Sequence, residues 1–485
     1  MRPRAARLPG IKDSGVAAES LHFSSKLSKW LDEDGLLRRG QDTNWKRQYK
    51  TRHNWAKGSC GVSELPIADE PSVPPILVQM HQSTVYMADF EHGLRAWIGP
   101  SSHKLLATAS LHDSTSHPHT SPPSALAIDS SPSDTVTTNV ALGFQDGSFA
   151  LYQLDLQTAC FTHRYTHEPS SNGMLSAVAL SFPYFASMTD SQLLSLYKFA
   201  PPPPATSSQH HLLASPPLLQ SLHSRTVWPP MTLSIRPSTD TVLVSIAYAL
   251  PTYLSGWTVG IQEMRLTPSG ELKHSRLASA IDQQYRPLTS PRATASSPNS
   301  SPLSAAPGGS SPPYGTSYIY AKPTSLSYTH PYLLVSHPDN TLTLYLVSST
   351  AASLSISPGN RLWGHTSSVS GAQIAGRGKA VSVSRRGDEL RVWELEGGFA
   401  SSAARRRLAT GELSVQLRPD TGAADTCAIT TAGAARARGS RHACLDHYAN
   451  ETSTTRGWVG FDDERVVVLK EKSCGGQALV VYDFT

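Results

Sequence analysis

One local pattern recurs seven times along this chain of 485 residues. Each copy has a turn segment followed by an alternating strand that carries an aromatic residue. The seven aromatic positions are Trp97, Tyr152, Tyr197, Trp257, Tyr345, Trp393 and Tyr482. Four copies also have an aspartate shortly before the aromatic residue: Asp146, Asp190, Asp339 and Asp388. Aspartate permits a tight turn, and alternation sends every second side chain to one face of a sheet. The pattern therefore predicts repeated β-hairpins.

The spacing of the repeats predicts the architecture. Successive copies lie about 45 to 90 residues apart, and each follows another apolar strand. Repetition of small sheets at such a spacing is typical of a β-propeller with four-stranded blades. We therefore predict an all-β fold, a seven-bladed β-propeller over residues 59–485. A β-sandwich is the competing interpretation, but it rarely needs so many copies of one turn-plus-aromatic pattern.

Long polar segments separate the predicted strands. The chain has 36 prolines and 33 glycines, and only 39% of its residues are hydrophobic. Pro/Ser-rich or Ala/Arg-rich insertions are predicted near residues 112–124, 201–225, 286–316 and 399–442. Such compositions cannot bury enough apolar surface to fold on their own. We interpret them as long loops of the propeller and not as linkers between domains.

The N-terminal arm, residues 1–58, has 13 Lys/Arg and 6 Asp/Glu, a net charge of +7. We predict a partly helical arm that ends where the propeller begins. A ring of sheets must be closed, and the C-terminal unit supplies only three strands. The segment SCGVSELPI, residues 59–67, is predicted to add the fourth strand, which covers an exposed sheet edge.

One repeat, residues 362–395, resembles a WD repeat. It carries the pair Gly364-His365, then Asp388, then Trp393. In that family, such a His, a strand Ser, the turn Asp and the Trp form a hydrogen-bonded network that locks one blade. The resemblance implies this network here, with the hydroxyl from Ser382 or Ser384. The other repeats lack the Gly-His pair and are degenerate.

The arm resembles the segment that joins an F-box to a WD-repeat propeller in filamentous-fungal proteins. The pattern W-K-R-x-Y … N-W-x-x-G, with Trp45, Tyr49 and Trp55, carries this resemblance. We expect Trp45 and Tyr49 on a short helix, and Trp55 and Gly58 leading into the closing strand. The three aromatic residues are predicted to anchor the linker against the propeller. No F-box is recognisable in the sequence, so we expect an upstream start or a product without that module.

The resemblance implies a protein-binding propeller that recognises substrates for an SCF-type (cullin-RING) ubiquitin ligase. A Skp-type adaptor and a cullin are expected as partners only if an upstream F-box exists. Arg95, Arg385 and Arg386 are candidates for binding an acidic or phosphorylated peptide. The alternative for these arginines is ordinary surface charge or ion pairs with Asp388 and Glu389. The alternative for the whole chain is a WD-repeat scaffold for multiprotein assembly without a ubiquitin role.

The sequence offers no catalytic, cofactor or metal motif. His163 and His167 are four residues apart, but they follow a predicted strand, where this spacing does not bring two ligands together. A propeller hydrolase would require clustered carboxylates around the axis. Five scattered cysteines and the lack of a long apolar run favour a reduced intracellular protein, cytoplasmic or nuclear, without a membrane partner. Nucleic acid is not the expected partner, because the arm also carries acidic residues.

Overall fold

The structure, a computed structural model, describes most of the predicted propeller and the end of the arm. The described residues are 45–98, 104–111, 121–129, 137–200, 212–224, 227–252, 256–280, 321–375, 378–385, 387, 389–395, 406–407, 414–419, 454–472 and 476–485.

Within these residues the chain forms seven antiparallel sheets around one axis, which confirms the seven-bladed propeller. Each blade has strands a to d, counted from the axis outward. The a strands are β2 (Leu77–His81), β6 (Pro123–Ile128), β10 (Leu175–Ser181), β14 (Trp228–Pro237), β18 (Ser325–Thr329), β23 (Val369–Ile374) and β28 (Thr454–Phe461). The b strands are β3 (Thr84–Asp89), β7 (Thr137–Phe144), β11 (Tyr184–Thr189), β15 (Val242–Thr252), β19 (Tyr332–Ser336), β24 (Lys379–Ser384) and β29 (Arg465–Glu471).

The outer two strands complete each blade. The c strands are β4 (Gly93–Ile98), β8 (Phe149–Asp155), β12 (Leu193–Lys198), β16 (Gly256–Leu266), β20 (Thr341–Ser349), β25 (Leu390–Glu394) and β30 (Gln477–Asp483). The d strands are β5 (Lys104–Ala109), β9 (Cys160–His167), β13 (Leu218–His223), β17 (Leu272–Ser279), the pair β21 (Leu354–Ile356) and β22 (Asn360–Trp363), β26 (Ser414–Gln416) and β1 (Ser59–Ala68). All seven aromatic positions of the sequence pattern lie on c strands. A short strand, β27 (Arg418–Pro419), pairs in parallel with the start of β1.

The hydrophobic core lies between the blades. Seven apolar clusters of described residues each join one blade to the next, and the last of them joins blade seven to blade one. The b strands are therefore covered on both faces: every residue of β3, β11 and β19 is buried. Burial on both faces explains why these strands appear in the sequence as continuous apolar runs.

The ring closes as predicted. β1 pairs antiparallel with β30, from Gly61 opposite Asp483 to Ala68 opposite Gln477. The N-terminal strand thereby becomes strand d of blade seven, and the a strands β28 and β2 of the last and first blades are in contact. The pairing covers the outer edge of β30, which would otherwise be an unpaired sheet edge.

The arm enters this strand through a longer helix than the sequence predicts. Helix α1 runs over Trp45–Lys57 and includes Trp55, which the sequence pattern places in the lead into the strand. The helix ends at Gly58, which has a φ of +71°. A Cβ at Gly58 would collide with the backbone of Gln416. Glycine is therefore required both for the left-handed helix end and for the close approach.

Two of the predicted insertions contain strands. β13 lies within 201–225, and β26 and β27 lie within 399–442. The sequence prediction was wrong at these strands, because an outer strand is held by backbone hydrogen bonds to strand c and needs little apolar surface. The insertion near 286–316 lies outside the described residues.

Because neighbouring strands in each blade are antiparallel, their turns and connections lie on two opposite faces of the propeller. The upper face carries the b–c turns and the connections from strand d to the next strand a. The lower face carries the a–b turns and the c–d connections. Helix α1 lies on the lower face, because Trp55 contacts the a–b turn and the C-terminal end of blade seven. No helix among the described residues has the length and apolar character needed to cross a membrane.

Candidate functional site

Blade six contains hydrogen bonds among three of the four members of the network that the resemblance implies. Ser382 Oγ lies 2.6 Å from His365 Nε2, and Trp393 Nε1 donates to the same oxygen at 2.8 Å. All three side chains are buried. A neutral imidazole accepts the Ser382 proton at Nε2 and turns its Nδ1 toward Glu389 Oε2, 3.5 Å away. The structure thus selects Ser382 over Ser384, while Asp388 lies outside the described residues.

Replacing Ser382 with alanine should lower the free energy of unfolding by about 2 kcal/mol, because the buried Trp393 and His365 nitrogens lose their shared partner. Chemical denaturation of the purified chain measures the effect. The matched control is Ser370→Ala in the neighbouring strand, where the side chain is only half-buried. An equal loss in both variants would contradict a special role for the network.

Blade five has a second buried histidine, His337, in its b–c turn. Its Nε2 lies 2.8 Å from Thr343 Oγ1, and the residue is 2% exposed. Burial lowers the pKa of His337 to about 4, although the nearby Asp339 carboxylate opposes this shift. The ring is therefore neutral in the folded chain at neutral pH.

This shift predicts a pH dependence of stability. The unfolded chain binds a proton at His337 near the ordinary pKa of 6.5, whereas the folded chain resists protonation down to about 4. The stabilising contribution of His337 to the free energy of unfolding is therefore complete above pH 6.5. It is lost as the pH falls toward 4, and the loss amounts to at most about 3 kcal/mol. Denaturation across this pH range should show a shallower slope for His337→Gln than for the unchanged chain. Taking the difference between the two chains cancels the contributions of His81 and His167, whose pKa values burial also lowers. Equal slopes would contradict the prediction.

Helix α1 is held on the lower face by one of the three predicted anchors. The Trp55 ring stacks on Phe484 with a centroid distance of 3.9 Å, and its Nε1 donates to the Asp463 carbonyl at 2.8 Å. Lys379 Nζ also lies over this ring, 4.4 Å from the centroid. Tyr49 is instead 73% exposed, and the side chain of Trp45 lies outside the described residues. The anchor is therefore Trp55, and Tyr49 is available to solvent.

An ion pair and two hydrogen bonds also hold helix α1 on the lower face. Arg47 forms an ion pair with Glu464 at 3.0 Å, and Lys50 Nζ donates to the Thr485 carbonyl. Asn54 Nδ2 donates to the Phe484 carbonyl at 2.9 Å. Arg47 and Lys50 thus face an acidic turn and the C-terminal end of blade seven.

Two of the three candidate arginines lie within the described residues, Arg95 in blade one and Arg385 in blade six, and the structure does not bring these two together as a peptide-binding group. Arg95 is 7% exposed, and its Nη2 donates to Asp89 Oδ2 at 2.6 Å. This buried ion pair corrects the expectation that Arg95 is displayed for a peptide, because the guanidinium lies inside the blade and is paired with Asp89. Arg385 lies exposed in the b–c turn of blade six, on the upper face. Arg386 lies outside the described residues.

A central channel runs between the a strands, with a volume of about 550 Å³. Its polar lining includes Gln79, His81, Tyr328, Gln373 and Trp458. The described lining contains no Asp or Glu, so it lacks the paired carboxylates that the hydrolase alternative requires. The described residues also contain no group of His, Cys, Asp or Glu that could hold a metal ion. His163 and His167 contact Thr166 and Tyr165 on their own strand.

Comparison of the sequence with family profiles gives a match that covers most of the chain. Residues 60–485 match the family described as "F-box protein pof12 beta-propeller". The chain belongs to this family. The match begins one residue after the first residue of β1, so it includes the closing strand of this pof12-type propeller. No curated protein sequence matches the chain.

Solved structures similar to this pof12-type propeller are distant in sequence. The beta-propeller domain of Cps50 (Swd1) from Myceliophteria thermophila has a TM-score of 0.43 and 11% identity, over 88% of this chain and 100% of that one. Saccharomyces cerevisiae Sqt1 has a TM-score of 0.40 and 9% identity, over 87% and 97%. The WD40 beta propeller domain of Doa1 has a TM-score of 0.37 and 10% identity, over 86% and 95%.

Sequence reasoning missed one ionic cluster of this pof12-type propeller. Glu263 in β16 is 1% exposed, and its carboxylate accepts hydrogen bonds from Arg236 Nη2 at 3.0 Å and Ser349 Oγ at 2.6 Å. Arg276 Nη2 lies 3.6 Å from the same carboxylate. The only available signal was a glutamate within a predicted strand, which gives no indication of its partners.

Proposed function

We propose that this propeller is the substrate-recognition subunit of an SCF-type ubiquitin ligase. Membership of the pof12-type family is the observation that supports this function. The placement of helix α1 agrees with it. The N-terminal side of the chain enters on the lower face, so helix α1 does not cover the upper face, which we propose holds a protein partner. An F-box joined to the arm would grip a Skp-type adaptor on the side away from that partner.

The proposed mechanism needs no bond chemistry in this chain. A substrate held on the upper face and an adaptor held through the N-terminal side belong to one assembly. The effective concentration of the substrate near the ubiquitin-charged enzyme therefore rises, and proximity accelerates the transfer. A helix that is packed rigidly against the propeller favours this role, because a loose linker would reduce the gain in effective concentration.

Co-purification from cells tests the proposal. The gene is tagged at its own locus, at the end that follows Thr485, so that any upstream coding sequence is retained. We expect a Skp-type adaptor and a cullin among the recovered proteins, and we expect bound substrates to accumulate when cullin activity is blocked. Recovery of stable partners without adaptor or cullin would instead support the scaffold alternative. Imaging of the same tagged protein tests the cytoplasmic or nuclear location that we propose.

A further inference from the structure

Blade four carries a hairpin that projects from the upper face. Strands β15 and β16 have 11 residues each and pair continuously from Val242 opposite Leu266 to Thr252 opposite Gly256. The other b strands have five to eight residues. At a rise of about 3.3 Å per residue, three extra residues extend the hairpin by roughly 10 Å. The turn of this hairpin lies between strands b and c, and such turns lie on the upper face.

Two tryptophans lie on one side of this hairpin. Trp228 pairs with Ala249, Ala249 pairs with Val259, and Trp257 lies two residues before Val259 on the same strand. Paired residues and residues two apart share a sheet face, so Trp228 and Trp257 lie on the same side. Trp228 is 44% exposed at the upper end of an a strand.

A third tryptophan lies on the upper face of the next blade. Trp363 is the last residue of β22, the outer strand of blade five, and it is 49% exposed. Trp257 is half-buried, whereas Trp228 and Trp363 are exposed. Exposed tryptophans are costly to leave in water, and they are enriched among the residues that dominate binding energy in protein interfaces. Their position on adjacent blades marks the upper face of blades four and five as an interaction surface.

The rings already bind cations of their own chain. Lys322 Nζ lies 5.7 Å from the centroid of Trp257, and Arg361 Cζ lies 4.9 Å from the centroid of Trp363. Both distances are in the range of a cation–π interaction. Lys322 is exposed, so a cation of a partner can take its place over the Trp257 ring. This chemistry favours a partner with lysine or arginine side chains.

The neighbouring loops carry the complementary charge. Six carboxylates on the upper face of blades one to three form no ion pair with any described residue: Asp69, Glu70, Glu91, Asp146, Glu168 and Asp190. The turn that begins at Asp190 is tied to the segment leading to Trp228, because Ser224 N donates to the Gln192 carbonyl at 3.0 Å. A basic partner that crosses from blade three to blade four therefore meets carboxylates first and aromatic rings next.

We infer that the upper face binds a basic segment of a partner protein, with an apolar or cationic side chain anchored on Trp228 and Trp257 and lysine or arginine residues facing Glu168 and Asp190. This inference rests on the proposed function, since it names the class of substrate segment. It replaces the acidic or phosphorylated partner expected from the candidate arginines, because Arg95 is buried and the described upper-face loops of blades one to three are acidic.

Selection from a phage-displayed library of random dodecapeptides on the purified 485-residue chain tests the inference. We expect the enriched peptides to carry a net positive charge around an aromatic or aliphatic residue. Binding of the most enriched peptide should weaken about thirtyfold in the Trp228→Ala, Trp257→Ala double variant. It should also weaken with rising ionic strength, and less steeply in the Glu168→Gln, Asp190→Asn double variant.

Matched controls lie on other surfaces of blade four. Leu277→Ala removes an exposed apolar side chain from the outer strand, and Asp240→Asn with Glu271→Gln neutralises two carboxylates of lower-face turns. These variants should bind the peptide as the unchanged chain does. Thermal unfolding of every variant establishes that it is folded. Enrichment of acidic or neutral peptides, no enrichment, or unchanged binding in the folded tryptophan variant would each overturn the inference.

The outcome is independent of the ligase assay. Recovery of adaptor and cullin without selection of basic peptides would leave the proposed function standing and remove this docking surface. Selection of basic peptides without recovery of an adaptor would support the docking surface and contradict the proposed function. The chain would then be a receptor for basic segments outside the ubiquitin pathway.

Discussion

Replacing Glu263 with alanine should lower the free energy of unfolding by about 3 to 5 kcal/mol. The carboxylate is the common partner of Arg236, Arg276 and Ser349, and its own side chain is completely buried. Removing it leaves two guanidinium groups without their counterion, and only 15% of the Arg276 side chain is exposed to water. An uncompensated buried charge is far more costly than the pair itself is stabilising.

The loss of stability in Glu263→Ala should come mainly from the interface between blades four and five. Ser349 belongs to blade five, whereas Glu263 belongs to blade four, and Arg276 Nη1 also donates to the Thr350 carbonyl at 2.8 Å. The chain between these blades is more than forty residues long, from Ala280 to Lys322. Among the described residues, these direct contacts and an apolar cluster join blades four and five.

Chemical denaturation of the purified variant provides the measurement. Glu271→Ala is the control, because Glu271 lies exposed in a lower-face turn of the same blade and should change stability by less than about 0.5 kcal/mol. Glu263→Gln keeps the shape and the contacts with the hydroxyl groups, so its loss should be intermediate. A loss for Glu263→Ala no larger than that of the control would refute the importance of the cluster.

The inner strands of the fold could be predicted because their signals are local. A turn aspartate and an alternating strand lie within about ten residues of each other, and both strands of such a hairpin must be apolar to fill the space between blades. Closure could be predicted because the last repeat lacked one strand. The outer strands could not be predicted from the sequence. Leu218–His223 and Ser414–Gln416 are only half-covered, and backbone hydrogen bonds to strand c hold them with little dependence on side-chain type.

The site residues also fall into those that the sequence predicts and those that it does not. Gly364-His365 and Trp393 could be identified because one repeat retains the pattern of its family, and the structure connects His365 to Trp393 through Ser382. The location of Arg95 could not be inferred, because the sequence does not show that Asp89 turns toward it within the blade. Glu263 and Trp257 each contact a residue of blade five, and their roles depend on contacts that only the closed ring creates.

Replacing Trp55 with alanine should release helix α1 from the lower face and lower the free energy of unfolding by about 3 to 5 kcal/mol. The ring is 6% exposed and fills the space between Phe484 and Lys379, so it connects blade seven to blade six. Its removal leaves a cavity and also removes the hydrogen bond to the Asp463 carbonyl. The other contacts of the helix include an exposed ion pair and hydrogen bonds to the end of blade seven. An exposed ion pair contributes less than about 1 kcal/mol, and a single hydrogen bond contributes about 1 kcal/mol.

Limited trypsin digestion followed by mass spectrometry reports the release directly, because Arg47, Lys50 and Arg52 lie within the helix. We expect faster cleavage at these residues in Trp55→Ala than in the unchanged chain, together with the loss of stability in denaturation. Tyr49→Ala is the matched control: it removes an aromatic ring from the same helix, but that ring is 73% exposed and should contribute little. Equal cleavage rates in the two variants would show that Trp55 does not hold the helix. Because the helix positions the N-terminal side of the chain, its release should also weaken recovery of the adaptor while leaving peptide binding on the upper face unchanged.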